Sequence, residues 1–294
     1  MMSIKSELEA LIGRRTEKRQ IRYGWRELAL YALSVGATEK DLGYVYEKEI
    51  KALPSFGVLP YWAAAGVEPA MTLPAPASMF AMDILRPEKA FLNMTHEIIL
   101  HQPIPVSGVF TYDDAVTNIY DRGEGKGVVL ETCNDVYGAD GTLLCTNIGT
   151  TYFYEGGGYG GDPMPKSDVV IPDREPDITA EDFVSPTANL LYRLTGDTNL
   201  IHVDPEYAKD KGLKQPIVQG LCSLGYACRL AIDALIPGEP ERVSRMSVQM
   251  TGMLLPGTPV ELHLWRMTEG KAVFRFIDKN TGTVILNRGV FEWK

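Results

Sequence analysis

Residues 222–235 read CSLGYACRLAIDAL, apolar on almost every side apart from Arg229 and Asp233. A helix that is apolar all round must be buried all round, so this stretch suits a helix held inside a curved sheet. The flanking sequence supplies the sheet. A Pro256-Gly257 turn leads into strand-like residues 260–267, a turn at Glu269-Gly270-Lys271, residues 272–277, a turn ending in Gly282, and residues 283–287.

The same order occurs once before. Residues 105–154 alternate strand-like runs with turns at 123–127 and 138–141, followed by Thr142-Leu143-Leu144-Cys145-Thr146-Asn147. Upstream, Leu30-Tyr31-Ala32-Leu33-Ser34-Val35-Gly36-Ala37 parallels Leu191-Tyr192-Arg193-Leu194-Thr195-Gly196-Asp197, allowing one inserted residue. Between the copies, EGGGYGGDPMPKSDVVIPDREPD at 155–177 replaces apolar alternation with Gly, Pro and charge, the signature of a linker. The expected organisation is a first unit over 1–155, a linker over 156–176 and a second unit over 177–294.

The chain has 294 residues, enough to bury a sizeable core, and its 45% apolar and 23% charged residues are an ordinary globular mixture. A net charge of −9 argues against nucleic acid or an anionic membrane surface as partner, so an anionic ligand would need a local basic patch. Cys133, Cys145, Cys222 and Cys228 form no CxxC pair and read as buried free thiols of a reducing compartment. The opening MMSIKSELEALIGRR lacks the apolar core of a signal peptide, and no apolar run approaches the roughly eighteen residues of a membrane span. A cytoplasmic protein is expected. His96, His101 and His263 share no ligand spacing, so no metal site is expected. Arg14, Arg15, Lys18, Arg19 and Arg22 read as a solvated basic face, and Gly156 to Gly161 as linker rather than phosphate loop.

Chemistry concentrates in residues 191–225, LYRLTGDTNLIHVDPEYAKDKGLKQPIVQGLCSLG. Asp204 is suited to cap a helix, Pro205 to enter it and Gly212 to close it, which puts His202 just before a short helix. Asp197 and His202 stand five apart and can meet only across a turn, for which Gly196 and Asn199 are suitable residues. A carboxylate beside an imidazole can hold a water and move its protons near neutral pH. The spacing equally fits Asp197 as a helix cap with His202 as a satisfied, half-buried histidine.

These residues resemble the signature of the (R)-specific enoyl-CoA hydratases, the MaoC-like or hydratase 2 family, which includes the hydratase part of peroxisomal multifunctional enzyme type 2. Tyr31-Ala32-Leu33, Val45-Tyr46-Glu47, Leu53-Pro54-Ser55-Phe56-Gly57, Cys145-Thr146-Asn147 and the Gly-rich linker fall in family order. The resemblance implies an α+β double hot-dog, two copies of a long helix wrapped by an antiparallel sheet, with the first copy accommodating the acyl chain. It implies Asp197 and His202 as catalysts, Asn199 as a positioning residue, Gly220 as the backbone donor to the thioester oxygen and Arg122 as a contact to coenzyme A. Gly220 also precedes the apolar helix, where free N–H groups and the positive dipole end favour an oxyanion. Glu47 resembles a family glutamate near the site. Asn93-Met94 stand where the family has His-Gly, Gln249 where it has a coenzyme-A-contacting Arg, Gln219 where it has His, and Leu200 where it has Pro. Ala37 occupies the first copy's counterpart of Asp197, leaving only the second copy armed. The implied activity is reversible hydration of a 2-enoyl-CoA by a homodimer with no cofactor, coenzyme A being part of the substrate. A hot-dog thioesterase and a non-catalytic acyl-CoA-binding subunit are the alternatives.

Overall fold

Glycines at the turn positions sit at positive φ, Gly127, Gly141, Gly270 and Gly282 among them, and each lies between two strands. In the computed structural model residues 3–59, 77–87 and 91–294 are described. In chain order they form α1 (Ile4–Glu9), β1 (Arg19–Tyr23), α2 (Trp25–Ser34), α3 (Leu42–Val45), α4 (Met82–Leu85), β2 (Leu92–Leu100), β3 (Gly108–Asp121), β4 (Val128–Tyr137) and β5 (Leu143–Phe153). There follow β6 (Ile178–Phe183), α5 (Ala188–Arg193), α6 (Pro205–Asp210), α7 (Gly220–Leu235), β7 (Val243–Met250), β8 (Pro259–Thr268), β9 (Lys271–Asp278) and β10 (Val284–Trp293).

The strands form one antiparallel sheet of ten in the order β1-β3-β4-β5-β2-β7-β10-β9-β8-β6. Read from either edge the connectivity is the same, so the sequence repeat is a structural repeat about the β2–β7 junction. There Ile98 pairs with Met246, both 1% exposed, and Glu97 with Ser247. Arg245 crosses the junction to grip the Glu97 carboxylate with two nitrogens, at 2.8 and 3.2 Å. The architecture is the double hot-dog that the repeat and the resemblance imply. Of the two long helices expected, the described residues contain the second copy's.

The second copy's helix, α7, is buried on all sides from Leu221 to Ile232, against β6, β7, β8 and β10 of its own unit and against Pro54–Val58 and α2 of the first. Burying each of its leucines and isoleucines contributes about 2 kcal/mol. Gly225 permits the approach of α2: a Cβ there would lie 2.4 Å from Val35 Cγ1. Arg229, 5% exposed, is tolerated because it donates to the Val35 carbonyl at 3.1 Å and pairs with Asp182 and Asp233. The linker carries no helix or strand from 154 to 177 but is pinned. Gly158, Gly160 and Gly161 donate backbone N–H groups to the Asp121 carboxylate, and Val169 and Ile171 pack on Trp265.

The two units differ on the sheet face that meets the core. In the second it is apolar, with Leu262, Leu264, Phe274 and Phe276 each fully buried. In the first, a buried polar row crosses four strands. Asn134 donates to Asp114, Asn147 donates to the Gly57 carbonyl at 2.9 Å, and His96 Nε2 lies 3.1 Å from Asn147 Oδ1, to which it donates. Burial pushes Asp114 up to about 6 against the opposing effects of Asn134 and Arg19. Arg19 therefore departs from the solvated basic face expected from sequence: its side chain is 12% exposed, with Nη1 3.9 Å from Asp114.

Burial pushes His96 down to about 4, with the Asn147 bond opposing. The folded state keeps His96 neutral where the unfolded chain takes up a proton, so its contribution is present above pH 6.5 and is lost as pH falls toward 4. In urea titrations the stability of wild type relative to His96→Gln should fall by about 3 kcal/mol between pH 7 and pH 4. A difference independent of pH would contradict this. The junction carries a second expectation: a fragment from about Pro176 onward exposes the β7 edge and its apolar face, and should be less stable than the whole chain or aggregate. Sedimentation and thermal unfolding of the fragment test this, and a stable monomer would count against it.

Candidate active site

The site begins with three local motifs that the sequence dictates. Asp204 accepts from the N–H groups of Glu206 and Tyr207 at 2.9 and 3.1 Å, Pro205 opens α6, and Gly212 follows it at φ 84°. Just upstream, Asn199 accepts from Ile201 N–H at 3.2 Å and caps a single 3₁₀ turn, Leu200–His202. The cap is therefore Asn199 and not Asp197. Asp197 Oδ1 accepts from Asn199 N–H at 3.3 Å, which directs Oδ2 toward His202.

His202 Nε2 and Asp197 Oδ2 are 3.9 Å apart, on side chains 11% and 14% exposed. That separation exceeds a direct hydrogen bond, but one oxygen atom about 2.8 Å from each can bridge them. The far side of the ring is fixed. His202 Nδ1 lies 2.9 Å from the Ile217 carbonyl, an acceptor only, so Nδ1 carries a proton and the lone pair of the neutral tautomer falls on Nε2, the atom that faces Asp197. Beneath the carboxylate lie Cys222 and Tyr192. Burial first and the Asp197 charge with it push both well above their ordinary values, so this floor stays neutral.

Asp197, Asn199 and His202 open onto a cavity of about 400 Å³. Its wall includes Gly220, Met250 and Leu254 from the second unit, and Phe91, Leu92 and Asn93 from the first. The junction explains the mixed origin: pairing of Thr95 with Gln249 carries the start of β2 past the end of β7. Gly220 is the first residue of α7, where N–H groups have no carbonyl behind them, and a Cβ there would stand 2.6 Å from Met250 Sδ, so a larger residue would displace the Met250 side chain.

Of the residues singled out in the sequence, the structure brings together Asp197, Asn199, His202, Gly220 and Asn93. Three others are not among the described residues of the cavity wall. Gln249 alternates on β7 with Val248 and Met250, and so faces away from the side on which Met250 lines the cavity. Glu47 sits exposed in the turn after α3. Arg122 lies in the turn after β3 over the ring of Tyr152, 5.0 Å from its centroid, and Tyr152 pairs with Leu92 of the wall, so Arg122 stands one strand back. Sequence reasoning passed over Tyr207 and Lys211, which line the cavity mouth. The signal they carry is local: they stand five and nine residues beyond His202, on a capped helix and at its end, close enough to return to the same opening.

A second, smaller cavity of about 140 Å³ lies at the other end of the junction, lined by Ala52, Pro54, Leu100, Ile104, Pro240 and Val243 among others. It is the repeat's counterpart of the first. Lys51 borders it, donating to the Gly238 carbonyl at 2.6 Å and facing Glu241 at 3.5 Å, and Ala37 in this unit is buried core.

With this geometry in hand, comparisons with known proteins agree on both units. The MFE-2 hydratase 2 N-terminal domain family matches residues 21–156, and the MaoC like domain family matches 168–288. The chain is 31% identical over 270 residues to a probable enoyl-CoA hydratase 2 of Dictyostelium discoideum, covering 90% of this chain and 89% of that one. A MaoC-like dehydratase from Phytophthora capsici superposes with a TM-score of 0.81 at 28% identity, over 98% of each chain. Full-length peroxisomal multifunctional enzyme type 2 from Drosophila melanogaster superposes with a TM-score of 0.77 at 27% identity, over 94% of this chain and 48% of that one. This chain thus spans about half the length of that multifunctional relative.

Asp197→Asn and His202→Ala should each lower water addition to an enoyl-CoA at least about a hundredfold, the scale of a general acid–base contribution, with unchanged far-UV circular dichroism. Near-wild-type turnover in both folded variants would sink the pair.

Proposed function

The chain belongs to the MaoC-like hydratase 2 family, and we propose that it adds water reversibly to a trans-2-enoyl-CoA to give the (R)-3-hydroxyacyl-CoA. The observation that carries this reading is the convergence of Asp197, His202 and Gly220 on one cavity wall. The Gly220 N–H binds the thioester oxygen and stabilises the enolate that forms as water attacks, a contribution of about 3 kcal/mol for one such donor. The pair shares a single water. Its oxygen bonds to C3 as the pair takes one of its protons, and the pair returns that proton to C2, so the water supplies both the hydroxyl and the hydrogen and the pair ends as it began. In dehydration the same groups exchange tasks. Both new bonds form on one face, because water and proton come from the same side of the cavity.

The remaining wall supports an acyl thioester as ligand. Phe91, Leu92, Ile217, Met250 and Leu254 offer an apolar surface for an acyl chain, and Lys211 puts a cation at the mouth of an acidic protein, where an anionic coenzyme would approach. No cofactor enters the scheme, since coenzyme A arrives with the substrate. We further propose a cytoplasmic homodimer. Four unpaired cysteines fit a reducing compartment, and among the described residues no helix is long and apolar enough to cross a membrane.

The product's handedness tests the reading. With the thioester oxygen held at Gly220 and the chain directed along the apolar wall, the shared water reaches only one face of C3. Product from crotonyl-CoA, or from whichever enoyl-CoA of a chain-length panel turns over, should be oxidised by an (R)-specific 3-hydroxyacyl-CoA dehydrogenase. Oxidation by the (S)-specific enzyme alone would refute the assignment, as would release of free coenzyme A without hydroxyacyl product or binding without turnover.

A further inference from the structure

His202 and Gly220 come from separate segments, and a closed ring of hydrogen bonds joins them. Asn189 of α5, 5% exposed, donates from Nδ2 to the backbone carbonyl of His202 at 2.6 Å. The His202 ring donates from Nδ1 to the carbonyl of Ile217 at 2.9 Å. Two residues on, Gln219, fully buried, donates from Nε2 to the carbonyl of Asn189 at 3.1 Å. Gln219 is also the residue before Gly220, so the ring runs from the imidazole to the start of α7 and back.

Each side-chain donor in this ring faces a carbonyl oxygen, which fixes the orientation of both amides, because turning either one would set acceptor against acceptor. The amide oxygens of Asn189 and Gln219 are themselves buried with no protein partner among the described residues. Packing alone would be better served by leucine and methionine of similar volume, which leave no polar atom unpaired. What the amides add is direction. A movement of about 1 Å at a reacting group can cost a hundredfold in rate, so a ring that holds the imidazole and the α7 amide in one frame bears on the chemistry and not only on the fold.

We propose that Asn189 and Gln219 are positioning residues: by holding the His202 backbone and the segment that carries Ile217 and Gly220, they keep the His202 ring on the Ile217 carbonyl that sets its tautomer and place it relative to the Gly220 N–H. The inference rests on the hydratase reading for its kinetic consequence but not for its spectroscopic one. In the full-length protein, Asn189→Leu and Gln219→Met should each lower kcat for hydration about a hundredfold with KM within about twofold. The double variant should lose no more than the worse single one, because either substitution opens the same ring. Gln219→His, which restores a buried ring N–H donor, should recover most of the loss. Imidazole ¹⁵N spectra of the wild type should show His202 with a protonated Nδ1, and those of Asn189→Leu an average of the two tautomers. If the leucine variant does not fold, Asn189→Ser, too short to reach the His202 carbonyl, is measured in its place. Wild-type kcat in the folded variants overturns the proposal, as do additive losses or an unchanged His202 spectrum. Should no enoyl-CoA turn over in the wild type, the hydratase reading fails alone and the tautomer comparison still decides the ring.

Discussion

The antiparallel pairing of β2 with β7 is the constraint from which the rest of the molecule follows. Among the described residues it is the one place where the two units share backbone hydrogen bonds, and its register brings Ile98 against Met246 at the centre of the core. A slip of one residue would turn one of these two side chains to the outer face and part Arg245 from Glu97. The same register decides where cavities form, because each end of the junction brings the start of one unit's strand past the end of the other's. A wall that mixes Leu92 and Asn93 with Met250 and Thr251 is thus a consequence of sheet pairing, settled before any catalytic residue is considered.

Within that frame the proposed chemistry depends on a small number of backbone groups. The Ile217 carbonyl fixes which ring nitrogen of His202 carries the proton, and Asn199 turns the Asp197 carboxylate by one N–H. Neither interaction is strong in isolation, at about 1 kcal/mol net for an ordinary hydrogen bond, yet each removes an orientation in which the pair could not share a water. Neutral Cys222 and Tyr192 below the carboxylate keep competing charges away from it.

Legibility in the sequence followed the range of the interaction responsible. The strands after each helix could be placed because their turns are marked by glycines at positive φ, and α6 because Asp204, Pro205 and Gly212 act within one or two turns of chain. Asp197, His202 and Gly220 were found through local spacing and family likeness, and they meet at one cavity. Contacts that cross the sheet were not legible. Arg19 reads as one cation in a basic run, and only pairing of β1 beside β3 carries it to the buried Asp114. Gln249 sits in a strand whose facing depends on parity, which a one-residue error in alignment reverses. Asn189 and Gln219 are thirty residues apart in sequence, and nothing in the spacing announces that one amide donates to the other's carbonyl.

Two cavities at opposite ends of one junction, one of them lined by a carboxylate and an imidazole and the other not, also say something about heredity. A unit that pairs with an identical copy inherits every substitution twice, so it cannot lose a catalytic residue on one side and keep it on the other. Joining the copies through the 154–177 segment lifts that requirement. Ala37 as the counterpart of Asp197, the Lys51 contact to Gly238 across from an open cavity mouth, and a polar sheet face in one unit against an apolar face in the other are differences that identical paired copies cannot accumulate.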